Sequence, residues 1–128
     1  MTPFGEKMRS LRAERGLQLK DMAAGLGVSS AYLSALEHGK RGRPNRRFVH
    51  RICQFLGVIW DDAEALQRLA DLSHPRVTVD TSGLSPRATE FANLLAEKIA
   101  ELPEEAIERM MAAVEDAGGM KRAVPATK

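Results

Sequence analysis

The sequence holds one cysteine, Cys53, in 128 residues. An intramolecular disulfide is excluded, and a lone cysteine suits a reducing compartment. Aromatic residues make up only 5%, with a single tryptophan and a single tyrosine. The three histidines offer no metal site: His50 and Cys53 fall i, i+3 on an expected helix, but no second pair completes four ligands. The longest apolar run, residues 55–60, is far below the roughly 20 residues of a membrane span. Residues 1–11 mix charged and apolar side chains and lack the apolar segment of a secretory signal. No grouping of serine, histidine and aspartate stands out, and Gly25 and Gly27 do not make an enzyme's phosphate loop. The expectation is a cytoplasmic protein with no catalytic role and no cofactor, built without membrane contact.

Charge is present in quantity and unevenly placed. Residues 1–60 carry eleven lysines and arginines against four acids, whereas residues 61–128 carry eight against thirteen. The first half suits a polyanion, which would repel the second.

Apolar spacing predicts helices throughout. Thr2 can cap a first helix over residues 3–15, with Pro3 at its first position, Phe4, Met8 and Leu11 on one face, and Gly16 as its stop. A short second helix spans residues 19–26, its inner face made by Leu19, Met22, Ala23 and Leu26, with Gln18 in the cap position as a weak cap. After Gly27 and Val28, Ser29 caps a third helix over residues 30–38, which Gly39 ends. Residues 40–47 hold five cations, Lys40, Arg41, Arg43, Arg46 and Arg47, around the helix-breaking Gly42 and Pro44. A fourth helix over residues 46–56 turns Phe48, Ile52, Phe55 and Leu56 inward. A fifth begins near Asp61, where Asp61 and Glu64 have capping-box spacing. Its apolar face is Leu66, Leu69, Ala70 and Leu72, and Trp60 is expected to pack beneath it.

Residues 76–80 alternate, as either a short strand or a linker would. Ser85 and Pro86 start a long amphipathic helix bearing Phe91, Leu94, Leu95, Ile99 and Leu102. Pro103 starts another, with Ile107, Met110, Met111 and Val114 on one face, ending at Gly118 and Gly119.

The constellation that points to function is residues 19–39: two short helices joined by Gly27-Val28-Ser29, followed at once by the basic loop. A helix fits the major groove of DNA, where each base pair shows a distinct donor and acceptor pattern. A preceding helix packed at a steep angle needs a tight turn, which Gly27 permits and Val28 plugs. Helix-start amides and flanking cations then hold phosphates.

Gly16-Leu17, Met22-Ala23, Leu26-Gly27-Val28-Ser29 and Leu33-Ser34-Ala35-Leu36-Glu37-His38-Gly39-Lys40-Arg41 together resemble the helix-turn-helix of the phage-repressor and Cro-like proteins, the xenobiotic-response-element family. The resemblance covers about residues 4–72. It implies an all-α protein with a five-helix, lambda-repressor-like DNA-binding domain over residues 1–73. Extended linker 74–85, C-terminal helical hairpin 86–118 and flexible tail 119–128 follow. It further implies that Ser30, Ala31, Tyr32, Ser34 and Ala35 face double-stranded DNA, with Ser29 at the helix start, and that Lys40, Arg41 and Arg43 grip phosphates, with Arg46 and Arg47 beside them. The family's buried arginine–glutamate pair falls on Arg12 and Glu37. Two departures matter. Gln18 and Leu19 stand where many members place threonine then glutamine, so either Gln18 substitutes for that phosphate contact or the contact is lost. Ser30 and Ala31 stand where glutamine is common, which leaves more of the readout to Tyr32, the loop arginines and DNA shape.

Family members bind as two-fold dimers, so the C-terminal faces (Phe91, Leu94, Leu95, Ile99, Leu102, Ile107, Met110, Met111 and Val114) are expected to make a homodimer. The function implied is a dimeric, operator-binding repressor of a bacterium or phage. The alternative is an antitoxin-type DNA-binding protein whose C-terminal helices hold a toxin or other protein partner.

Overall fold

Thr2 and Pro3 start the first helix as their chemistry dictates. In the computed structural model, which describes residues 1–119, α1 spans Pro3–Arg15, the Thr2 Oγ1 accepts from the Gly5 N–H at 3.0 Å, and Gly16 closes the helix at φ 65°. Then come α2 (Leu19–Leu26), α3 (Ser30–Glu37), α4 (Arg46–Leu56), α5 (Trp60–Asp71), α6 (Pro86–Lys98) and α7 (Glu104–Gly119), with a single 3-10 turn at Ile99–Glu101. The described residues are all-helical, without strands, as the apolar spacing predicts. The 76–80 segment forms no strand, and Val77 and Val79 are exposed. The expected tail, apart from Gly119, lies outside the described residues. Among those residues no helix is long and apolar enough to cross a membrane.

The chain divides into two units, Met1–Thr78 and Val79–Lys128, the division falling within the expected linker. In the first, α1 packs on α3 and α5, α2 on α3 and α4, and α4 on α5. Phe4, Met8, Met22, Leu33, Leu36, Ile52 and Leu66 are its largest fully buried side chains. Gly5 lets α1 approach the end of α3: a Cβ there would stand 2.1 Å from the Glu37 carbonyl oxygen.

The ends of α2 to α5 are closed by partners from elsewhere in the unit. Helices leave their last carbonyls without intrahelical donors. The final carbonyl of α2, Leu26, accepts from Arg51. That of α3, Glu37, accepts from both the backbone N–H and the hydroxyl of Thr2, each at 3.1 Å. Arg15 Nε donates to Leu56, the last residue of α4, at 3.2 Å. Arg43 Nη1 donates to Asp71, the last of α5, at 3.3 Å.

Ser73 ties the chain ends of this unit together. Its buried hydroxyl accepts from the Phe4 N–H at 2.9 Å and donates to the Leu69 carbonyl. Ser73→Ala should leave that buried amide without its partner and lower unfolding stability by about 1–3 kcal/mol in urea melts. A loss below a few tenths of a kcal/mol would mean the amide finds another acceptor.

Four expectations about side chains fail here. Trp60 does not pack beneath α5; it begins that helix at φ 54°, a left-handed backbone, and its side chain is 81% exposed. The Asp61–Glu64 box does not form, because the cap position of α5 falls two residues earlier, on Ile59, with no side-chain cap. Phe55 is 38% exposed and lies across α2 at Gly25, where a Cβ would collide with its ring. Leu72, placed inward by periodicity, follows the last turn of α5 and is exposed.

The second unit has little interior. No side chain of α6 is buried, and Ala106 is the one buried side chain among its described residues. Ile99 and Leu102, expected on one continuous helix, fall in and just after the 3-10 turn, because the α-helical register ends at Lys98.

Candidate nucleic-acid interface

The turn between α2 and α3 is set by two residues. Gly27 takes φ 73°, and its neighbour's amide, Val28 N–H, bonds back to the Ala23 carbonyl at 3.0 Å. Val28 then packs against the core. Ser29 caps α3, its hydroxyl accepting from the Tyr32 N–H at 3.0 Å. The inner face of α3 is Leu33, Leu36 and Glu37, all buried. On the outer side Ser29, Ser30 and Ala31 are exposed, and Tyr32, Ser34 and Ala35 are half-buried. The glutamate on the inner face is paired: Arg12, itself buried, reaches Glu37 with both terminal nitrogens, Nη1 to Oε2 and Nη2 to Oε1, the latter at 3.3 Å. The pair is thus formed as the resemblance implies.

Gln18 is exposed at the start of α2, where its backbone N–H donates to Asp21 Oδ2 at 2.9 Å. The start of α2 is therefore held partly by Asp21, a residue not among the expected caps.

Lys40, Arg41, Arg43, Arg46 and Arg47 are all exposed, yet they are not equivalent. Arg43 is anchored on the Asp71 carbonyl. Arg41 holds its guanidinium carbon 5.4 Å from the Tyr32 ring centre. The Tyr32 ring meets Phe48 edge-on, centroids 6.2 Å apart at 82°, and Arg51 lies 5.5 Å over the other ring of that pair. Arg46 and Arg47 open α4, capped by Asn45, whose side-chain oxygen accepts from the Phe48 N–H at 2.8 Å.

Ser29, Tyr32 and Arg47 meet at one notch of about 450 Å³, completed by Val28, Asn45, Phe48 and Arg51. Of its polar residues, Asn45 and Arg51 are not among the expected site residues. Arg51 had a sequence signal, since it stands i, i+4 from Arg47 on one helix and so on the same face.

A second, wider groove of about 1140 Å³ lies between α4 and α5, its apolar lining including Val49, Cys53, Val58, Ile59, Trp60 and Ala63. Burial pushes the Cys53 thiol pKa up, away from reactive thiolate. His50 is exposed while Cys53 is buried, and no three potential metal ligands cluster among the described residues.

In the second unit, the residues expected to self-associate are open to solvent: Phe91, Leu94, Ile99, Met110, Met111 and Val114 are exposed, and Leu95, Leu102 and Ile107 half-buried.

The sequence profile of the family described as "Helix-turn-helix domain" matches residues 3–67. The HTH-type transcriptional repressor RghR of Bacillus subtilis is 38% identical over 61 residues, 48% of this chain and 45% of its own length. The uncharacterized HTH-type transcriptional regulator RghRB of the same organism is 37% identical over 65 residues, 51% of this chain and 47% of its own. The chain thus spans about half the length of these two relatives. The HTH-type transcriptional regulator DdrOP3 of Deinococcus deserti is 33% identical over 93 residues, 72% of this chain and 64% of its own. That stretch is longer than the first unit, so the similarity extends beyond residue 78. No solved structure gives a significant match.

Proposed function

The chain belongs to the helix-turn-helix domain family, and from that membership we propose that it is a sequence-specific, DNA-binding transcriptional regulator acting as a homodimeric, operator-occupying repressor. The carrying observation is the outer side of α3, left open from Ser29 to Ala31 and bordered by the cations of residues 40–47. Exposed helix-start residues reach base edges in the major groove, and flanking cations neutralise phosphates. Two relatives carry "regulator" and one carries "repressor" in their names, which supports regulation by binding. A bacterial or phage chromosome is the natural setting, with the protein on the nucleoid when bound. Nothing in this reading calls for catalysis.

Dimerisation rests on the second unit, whose apolar side chains lack a core of their own. A toxin or another protein seated on those same side chains would instead make the chain an antitoxin-type regulator. Mass measurement of the purified chain separates these: the repressor reading expects two copies, the antitoxin reading a single copy that forms a complex only when its partner is present.

DNA binding should be anchored by Lys40, Arg46 and Arg47. Replacing all three with alanine should weaken binding to every duplex and reduce the slope of log affinity against log salt by about 2–3, roughly one for each phosphate no longer neutralised. A slope equal to that of the parent chain would remove these residues from the interface.

A further inference from the structure

We propose that Arg41, held over the Tyr32 ring, reads the edge of a guanine and sets operator sequence, instead of gripping a phosphate as its place in the basic loop suggests. The inference rests on the DNA-binding reading and goes beyond it by assigning the base-reading group.

Three observations converge. First, the N-terminal part of α3 presents only short side chains, since Ser30 and Ala31 are exposed and carry no amide or guanidinium. Serine can make a single hydrogen bond to a base edge and alanine can touch a thymine methyl, but neither supplies the paired donors that single out guanine, so that role falls to a longer side chain from a neighbouring element. Second, Arg41 is the loop cation whose side chain is held against α3, its guanidinium 5.4 Å from the Tyr32 ring centre. A cation–π contact uses attraction to the ring and consumes no N–H, so the planar fork of donors remains available. That fork is the group that pairs bidentately with guanine O6 and N7. Third, the platform is itself fixed. Tyr32 has its N–H capped by Ser29 and its ring set edge-on against Phe48, which Arg51 covers while also donating to the end of α2. Arg41 therefore has its position assigned before DNA arrives, which lowers the ordering cost of a directional contact. A phosphate anchor gains little from such placement, because an exposed cation finds a phosphate from many rotamers. Arg43, next but one in sequence, is tied instead to the Asp71 carbonyl.

The test selects bound sequences from a random duplex pool with the full chain, R41K, R41A and Y32L. Binding to the best parental site is then measured against salt. Helicity by circular dichroism verifies folding. The parent should select a half-site with one preferred G·C pair, and exchanging it for A·T should cost the parent about tenfold or more. R41K keeps the charge but lacks the fork. It should bind random duplex as the parent does, with the same salt slope, and lose the preference at that pair. R41A should lose the same preference, and folded Y32L should lose it with Arg41 still present.

The assignment is overturned if R41K selects the parental half-site, or if R41A weakens all duplexes alike and lowers the salt slope by about one. A folded Y32L that keeps the preference overturns the role of the ring. A parent chain that selects no sequence at all sinks the DNA-binding reading itself, whereas a selecting parent matched by R41K sinks only the assignment to Arg41.

Discussion

Glu37→Ala is expected to lower the unfolding free energy by about 3–5 kcal/mol, because it strands the buried Arg12 guanidinium without its counter-charge. Domains of this size are stable by only about 5–15 kcal/mol, so such a loss removes a large share of the total. The pair is made through two N–H···O bonds between α1 and α3, with both residues buried. Removing the carboxylate leaves the charge desolvated, with little beside it except the Met22 sulfur, 3.8 Å from Arg12 Nη1. The effect belongs to the uncompensated charge more than to the pair's net worth. Replacing both residues together, as Arg12→Met with Glu37→Leu, should therefore recover most of the stability. Urea melts of the two variants decide the matter. A single substitution that shifts the midpoint within error would contradict a closed, water-free pair. DNA affinity should fall with the single substitution too, because Glu37 closes the helix whose outer side is proposed to face the groove.

Ending the chain after Thr78 should abolish dimerisation and reduce affinity for a two-fold operator by on the order of 10²–10⁴. On the proposed dimer, one unit reads one half-site. Two joined units read half-sites about one helical turn, ~34 Å, apart, with the second half-site engaged at high local concentration. The fragment should stay folded, since the closures of α2 to α5 and the Phe4–Ser73 bond all use residues within 1–78. What it gives up is the apolar surface of the second unit, where Phe91, Leu94, Met111 and Val114 are each more than half exposed. Light scattering and operator titration give the result. A fragment that remains dimeric would place the interface in the first unit, and the groove between α4 and α5 would become the leading candidate. A fragment that unfolds would mean the second unit completes the first one's core.

Much of the first unit was legible because its punctuation is local. Thr2 with Pro3, and the glycines at 16 and 27, mark the ends of α1 and α2 through short-range chemistry that needs no knowledge of the fold. The Arg12–Glu37 pair was legible only through family resemblance, since nothing in a 25-residue separation announces it. Trp60 was misplaced because hydrophobicity argues for burial, whereas its left-handed backbone turns the side chain outward. The end of α6 was missed for a related reason: apolar spacing runs on smoothly through Ile99 and Leu102, and periodicity does not register the change to a tighter turn at Ile99. Within the candidate site, residue types identified the outer side of α3 and the cations near it. Which arginine turns back to a helix end, and which rests on a ring, depends on carbonyls and aromatics brought near by the fold.

Arg15, Arg43 and Arg51, each bonded to the last carbonyl of a different helix, have a consequence for the living cell. On the proposed function, a genetic screen for defective regulation would score changes at these positions beside changes at Lys40 or Arg47, yet for a different reason. Losing a helix closure raises the unfolded fraction, which proteases remove, so even 1–2 kcal/mol can cut protein abundance several-fold. The phenotype would be one of dosage, relieved by overexpression, whereas a chain that merely fails to grip DNA stays plentiful and idle. Arginine richness in the first half is in this sense two inheritances written in the same letter, and immunoblotting sorts one from the other.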